Sequence, residues 1–198
     1  MRSCIYDFET LSQDAFNGVV VNIALLVFDE GRFVNEPYDF LELVNDCTLI
    51  KFDVEEQVKK YGRKIQQSTL EWWSKQNKTA QKMLAPSSDD VSIECLYDVL
   101  YNDIKLQTCD RVYTRGNTFD PVFLKSVLRH FDKEDPSKWW NIRDTRSLFD
   151  GMLWGTNMDS KFIPPGLKDL FIPHDPCHDI AMDVMRFQTL VRELSDDI

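Results

Sequence analysis

Hydrophobic positions along the chain fall into blocks that switch between strand and helix spacing. Ser3 to Tyr6 predicts a short β-strand that runs into Asp7 and Glu9. Val19 to Phe28 (VVVNIALLVF) is a nearly unbroken apolar run rich in β-branched residues, which predicts a central strand buried on both faces. The two form a hairpin candidate, with Gln13 to Gly18 as the polar connection, and Tyr38 to Val44 predicts a third strand. Ser68-Thr69-Leu70-Glu71 has the form of a capping box and predicts the start of a helix bearing Trp72 and Trp73. Neighbours on a helix point about 100° apart. One of the two rings is therefore expected in the core and one half-covered, or one is offered as a stacking surface for a base. Pro86 to Asp90 punctuates the chain and is expected to cap a helix over about Val91 to Lys105. Val112 to Thr114 predicts a short strand, Pro121 opens a helix through Phe131, and another helix begins near Asp144. Gly151 to Asp175 is poorly periodic and predicts a long loop with a short helix near Leu167. In the last helix, about Asp179 to Leu194, the residues Ile180, Val184, Phe187, Val191 and Leu194 form an apolar stripe. Strands interleaved with helices predict an α/β fold, and no repeat or linker divides residues 1–198, so one domain is expected.

Composition narrows the class. At 198 residues and 43% hydrophobic content, the chain can bury a substantial core, with order expected everywhere except the last few residues. No apolar run approaches the ~20 residues that span a bilayer. Acids stand where a signal peptide would carry its apolar segment, so a cytoplasmic location is expected. The five scattered cysteines, with no C-x-x-C pair, predict reduced thiols. A net charge of −10 argues against a general binder of duplex backbone. It leaves room for an enzyme that grips one nucleic-acid end through metal ions, since bound cations invert the local sign.

The candidate chemistry is acidic. Asp7 and Glu9 are two apart on a strand and share a face. Two such carboxylates repel, and burying them is costly unless a cation sits between them. Asp120 stands at a strand–loop–helix junction, as a metal ligand or as a helix cap. Asp183 lies within the apolar stripe of the last helix, where an acid needs a positive partner. His178 stands five residues before it. Four acids and a histidine meet the needs of a two-metal phosphodiesterase using Mg²⁺ or Mn²⁺, with the histidine as general base.

These residues resemble the motifs of the DEDDh family of 3′–5′ exonucleases. Its first motif, D-x-E, corresponds to Asp7-Phe8-Glu9; its second, ending in F-D, to Asn117-Thr118-Phe119-Asp120; its third, His-x₄-Asp, to His178 and Asp183. His174 and Asp179 fit the third motif equally in spacing. The later pair is preferred because Asp179 precedes the apolar stripe and Pro176 would interrupt a helix between His174 and Asp179. Further stretches are similar to the T-even-type bacteriophage branch of the family, among them Ile50 to Asp53, Ser68 to Trp73, Ala85 to Ser87 and Trp140 to Asp144. A related branch holds bacterial exoribonucleases that trim adenylate-rich ends. The likeness is thinnest from about Lys125 to Phe171.

The resemblance implies a ribonuclease H-like fold, a central mixed β-sheet flanked by helices. It implies two bound Mg²⁺ or Mn²⁺ ions, held by Asp7, Glu9, Asp120 and Asp183, with His178 as base. The implied partners are 3′ ends of single-stranded DNA or RNA, cut to nucleoside 5′-monophosphates, in the host cytoplasm if the chain is phage-encoded. Expected substrate contacts are Phe8, at the strand end beside the terminal base or else packed in the core, the backbone at Thr10 near the 3′ hydroxyl, Trp73 as a stacking surface, Arg115 on a phosphate or a base, and Asn117. Trimming of RNA ends is the alternative, and a non-catalytic end-binding module the more distant one. Oligomeric state is left open.

Overall fold

The structure, a computed structural model, describes residues 1–196; of the chain end expected to lack order, Asp197 and Ile198 lie outside the described residues. Strands β1 (Arg2–Thr10), β2 (Val20–Asp29), β3 (Thr48–Lys51), β4 (Arg111–Thr114) and β5 (Ile142–Asp144) form one mixed sheet in the order β3-β2-β1-β4-β5. β2 runs antiparallel to both β1 and β3, while β4 runs parallel to both β1 and β5. Helices α1 (Arg32–Asn35) and α2 (Phe40–Asp46) follow β2, and α3 (Val54–Tyr61), α4 (Gln67–Trp73) and α5 (Lys78–Met83) follow β3. α6 (Leu96–Asp98) sits inside a run of mixed helical turns, α7 (Asp120–His130) follows β4, α8 (Thr145–Met152) follows β5, and α9 (Pro176–Asp196) comes last.

Alternation along β1 builds the two faces of the sheet. Cys4, Tyr6 and Phe8 pack into one core with Ile23, Phe123 and Val127. Ile5 packs into the other with Ala24, Tyr113, Ile180 and Val184. α7 therefore covers one face and α9 the other. β2 is buried along nearly its whole length, as its apolar run requires. No helix among the described residues is long and apolar enough to cross a membrane.

Several expectations are corrected. Tyr38 to Val44 is not a strand: Asp39 and Glu42 form a reciprocal capping box that starts α2, a signal outranking the β-favouring composition. Ser68 caps nothing. α4 begins at Gln67, two residues before the start that a Ser68 cap would set, so Ser68 lies inside its first turn. The helix expected over Val91 to Lys105 is broken into short turns and is capped by Ser92 rather than by Asp90, which pairs with Lys51. It closes on a wide turn from Ile104 N–H to the Val99 carbonyl, and Lys105 ends it at φ +54°. Near Leu167 there are only turns. Cys47 and Cys177 are disulfide-bonded, with Cα atoms 5.8 Å apart, where reduced thiols were expected. Their separation of 130 residues hides the pairing from any local spacing rule.

One feature of the sheet positions the site. β1 pairs with β4 only from Ser3 to Ile5. Beyond that point the two strands part, leaving a crevice at their carboxyl ends. Asp7 and Glu9 lie on that freed stretch of β1.

Candidate active site

β1 stays paired with β2 past Asp7 and is interrupted by a bulge only between Glu9 and Thr10. Asp7 and Glu9 therefore project from the same face, toward α9. There they meet Asp179, in the first turn of that helix. Ligand oxygens of Asp7, Glu9 and Asp179 all lie within 4.8 Å of one another. Asp120 lines the same cleft from the start of α7. It does not act as the helix cap; its Oδ1 accepts the Phe8 N–H at 3.2 Å, tying α7 to β1. Burial first, then repulsion from Asp120, Glu9 and Asp179, holds Asp7 well above the usual carboxylate range. Burial and Asp179 do the same to Glu9. Burial pushes Asp120 up to about 7, and burial with the nearby Asp183 pushes Asp179 up to about 7. Converging carboxylates that resist ionisation in this way form an all-oxygen donor set, which suits a hard divalent cation.

The helix acid in this cluster is Asp179, not Asp183. Asp183 is 2% exposed and its charge is already met: Oδ1 accepts from Arg115 Nη1 at 2.5 Å and Arg186 Nη1 at 2.7 Å, and Oδ2 from Thr145 Oγ1 at 2.7 Å. The cation its position calls for is arginine. His178 is likewise displaced by His174. The His178 ring packs edge-on against Phe40, and its Nδ1 accepts the Ile172 N–H at 3.3 Å. His174 lines the cleft with Asp7 and Asp179, and its N–H donates to Asp179 Oδ2 at 3.1 Å.

The preference for the later pair assumed that the histidine is helical. It is not. His174 sits in the turn before α9 at φ +63°. Asp175 caps the helix through the Cys177 and His178 N–H groups, and Pro176 takes the first helical position, where a missing N–H costs nothing. Pro176 thus starts α9 rather than breaking it.

Comparison with known proteins adds the lineage. Residues 2–168 match the family described as the 3′–5′ exoribonuclease Rv2179c-like domain. The chain belongs to this family. The exonuclease is 33% identical over 211 residues to the exodeoxyribonuclease of Enterobacteria phage T4, covering 97% of this chain and 90% of that relative. Its fold is similar to that of E. coli exonuclease I in complex with a dA13 oligonucleotide, with a TM-score of 0.62 at 12% identity over 97% of this chain. The exonuclease spans only 40% of that larger chain. The nuclease domain of 3′hExo, a DEDDh family member bound to rAMP, matches with a TM-score of 0.53 at 12% identity over 98% of this chain and 92% of its own. The fold is ribonuclease H-like, as the motifs implied.

The remaining expected site residues divide. Phe8 does not sit at a strand end: β1 continues to Thr10, and the ring is 3% exposed in the core, 5.9 Å from Tyr6. Phe8 still lines a cavity of about 480 Å³ beside Glu9, together with Thr10, Gln13, Trp72 and Trp73. Trp73 is 4% exposed, with Nε1 donating to the Thr10 carbonyl at 3.0 Å, so it fixes the end of β1. The exposed ring is Trp72, at 43%, edge-on to His174 at 5.0 Å. Arg115 reaches the cleft while paired to Asp183. Asn117 does not reach it. Its Oδ1 accepts from Thr114 Oγ1, and it lines a neighbouring groove with Arg143 and Asp144. Arg146, which its sequence offers as a phosphate contact or, by preference, as a solvated helix charge, joins the cleft and donates to the Arg115 carbonyl at 3.4 Å.

Proposed function

We propose that the exonuclease hydrolyses single-stranded DNA from its 3′ end to nucleoside 5′-monophosphates. Asp7, Glu9, Asp179 and Asp120 would hold divalent cations, and His174 would act as general base. The convergence of the Asp7, Glu9 and Asp179 oxygens within 4.8 Å carries this reading. When bound, a pair of Mg²⁺ or Mn²⁺ ions supplies Lewis-acid stabilisation of charge developing on the scissile phosphate. His174 takes the proton of the attacking water on its imidazole. Burial holds its pKa below the ordinary histidine value, so the ring is neutral and ready to accept at neutral pH. Its backbone bond to Asp179 keeps base and acid in register. Trp72 offers a face to an unpaired base beside Glu9, and Arg115 and Arg146 face the phosphate chain.

DNA is favoured by the full-length likeness to a phage exodeoxyribonuclease. A second reading, trimming of RNA ends, is favoured by the exoribonuclease family that matches residues 2–168. Matched end-labelled single strands of DNA and RNA, incubated with Mg²⁺ or Mn²⁺, separate the two. Release of 5′-mononucleotides from the 3′ end of DNA at the higher kcat/KM supports the first reading. Preference for RNA replaces it with the second. Full activity of Asp179→Asn on either substrate removes the assignment of the site.

A further inference from the structure

The long connection between α8 and α9 contains no regular helix or strand, yet it forms part of the cleft. Lys161 and Ile163 line a cavity of about 350 Å³ together with Asp7, His174 and Asp179. Backbone without secondary structure must be held by other partners. The Lys161 and Phe162 N–H groups bond back to Asp159, and the carbonyls of residues 160–162 are taken by two guanidinium groups. Arg115 Nη2 donates to the Ser160 carbonyl at 3.2 Å. Arg186 Nη2 donates to the Lys161 carbonyl at 3.1 Å, and its Nε to the Phe162 carbonyl at 2.7 Å. Both guanidiniums converge on a single Asp183 oxygen, 2.5 and 2.7 Å away. Arg115 projects from the end of β4 and Arg186 from α9, so Asp183 joins the sheet, the last helix and the cleft wall at one point. Two cations share one anion, so the cluster keeps one positive charge beside the acidic site.

We propose that Asp183 is a positioning residue: by sharing its carboxylate between Arg115 and Arg186 it fixes residues 160–162 as a wall of the cleft and keeps Arg115 turned toward the substrate's phosphates. This rests on the exonuclease site described above. Asp183 borders the same cavity, but both of its oxygens are taken, by Arg115, Arg186 and Thr145. Its loss loosens substrate binding and the wall and leaves the cation site intact.

The test compares Asp183→Asn with Asp179→Asn in the full chain, using Mn²⁺ titration followed by paramagnetic resonance, steady-state kinetics on a single-stranded oligonucleotide, and trypsin cleavage after Lys161. Asp183→Asn is expected to keep Mn²⁺ affinity within about twofold, to raise KM about tenfold with a smaller fall in kcat, and to speed cleavage after Lys161 about tenfold. If that variant fails to fold, Arg186→Lys keeps the charge but loses the planar fork, and it should show the same faster cleavage. Loss of Mn²⁺ affinity in Asp183→Asn as large as in Asp179→Asn overturns the proposal, as does unchanged KM with unchanged cleavage. Unchanged Mn²⁺ affinity in Asp179→Asn would instead overturn the reading of the site and leave the cleavage result to judge the clasp by itself.

Discussion

Asp179 and Asp183 are one turn apart on the same face of α9, yet their surroundings are opposite. The first meets the carboxylates of Asp7 and Glu9, close enough to share a cation, in a cleft that Asp120 also lines. The second meets two arginines and a threonine hydroxyl. A buried acid needs compensation, but nothing in its burial says whether a side chain or a metal supplies it. The apolar stripe flagged Asp183 correctly as an acid that must be paired. It could not show that the partners come from Arg115, 68 residues earlier, and from Arg186, three residues later.

The sharpest way to break this contrast is to remove each charge in turn. Asp179→Asn is expected to lower kcat by at least about a thousandfold, the loss of several kcal/mol of charge stabilisation at the phosphate. Asp183→Asn should instead act on the fold, since it leaves the buried Arg186 guanidinium and the half-buried Arg115 without their anion, a loss on the order of 3 kcal/mol. Single-turnover rates and denaturant midpoints on the two purified variants separate the effects. Equal losses of rate in both, at equal stability, would erase the distinction.

The two histidines repeat the contrast at smaller size. His174→Ala should cost about 10²–10⁴-fold in kcat, the usual worth of a positioned base. His178→Ala, which loses a contact with Phe40 and a bond from the Ile172 N–H, should change kcat only a few-fold. Because burial holds His174 below its ordinary pKa, the rising limb of the pH–rate profile should lie below about 6.5. A midpoint well above that value would point to another base.

How much of this was legible in the sequence follows from where each signal is stored. The D-x-E strand, the buried β2 run and the helix opened by Pro121 are local patterns, and the structure has all three. Asp7, Glu9 and Asp120 were legible because strand alternation and a strand–loop–helix junction are also local. The choice between two His-x₄-Asp frames was not. It depended on the positive φ of His174 and on Asp175 acting as a cap, and both are turn geometry. The capping box at Asp39 and Glu42 was a readable signal obscured by β-favouring neighbours. Strands β3 and β5, four and three residues long, gain their pairing from the sheet and carry too little pattern of their own.

Stability against pH sharpens the comparison further. Asp179 and Asp120 have folded pKa values near 7, raised from 3.8. Folding therefore favours their protonated forms. The stability they contribute is complete below the ordinary carboxylate pKa and is lost as pH rises through about 7. Metal-free protein should melt several degrees lower at pH 8 than at pH 5, and Mg²⁺ or Mn²⁺ should restore the difference, most strongly at the higher pH. Asp179→Asn should flatten this dependence most, and Asp183→Asn, which removes a neighbouring charge that helps to raise Asp179, should flatten it less. A metal-free melting temperature that rises between pH 5 and 8 would contradict the raised values.

The smallest expected effect lies beside the first turn of α9, in the two neighbouring tryptophans. Trp72 is exposed and edge-on to His174, while Trp73 is buried and bonded to the Thr10 carbonyl. Adjacent helix positions point about 100° apart, so one ring faces the cleft mouth and the other the core. Trp72→Leu removes a stacking face worth roughly 1–3 kcal/mol per base and should raise KM while leaving the melting temperature nearly unchanged. Trp73→Phe keeps most of the packing but loses the bond to Thr10, about 1 kcal/mol, and should lower the melting temperature with little change in KM. The opposite pattern, with KM sensitive at Trp73 and indifferent at Trp72, would mean that the terminal base enters beneath the helix, and the cavity beside Glu9 would have to open further to admit it.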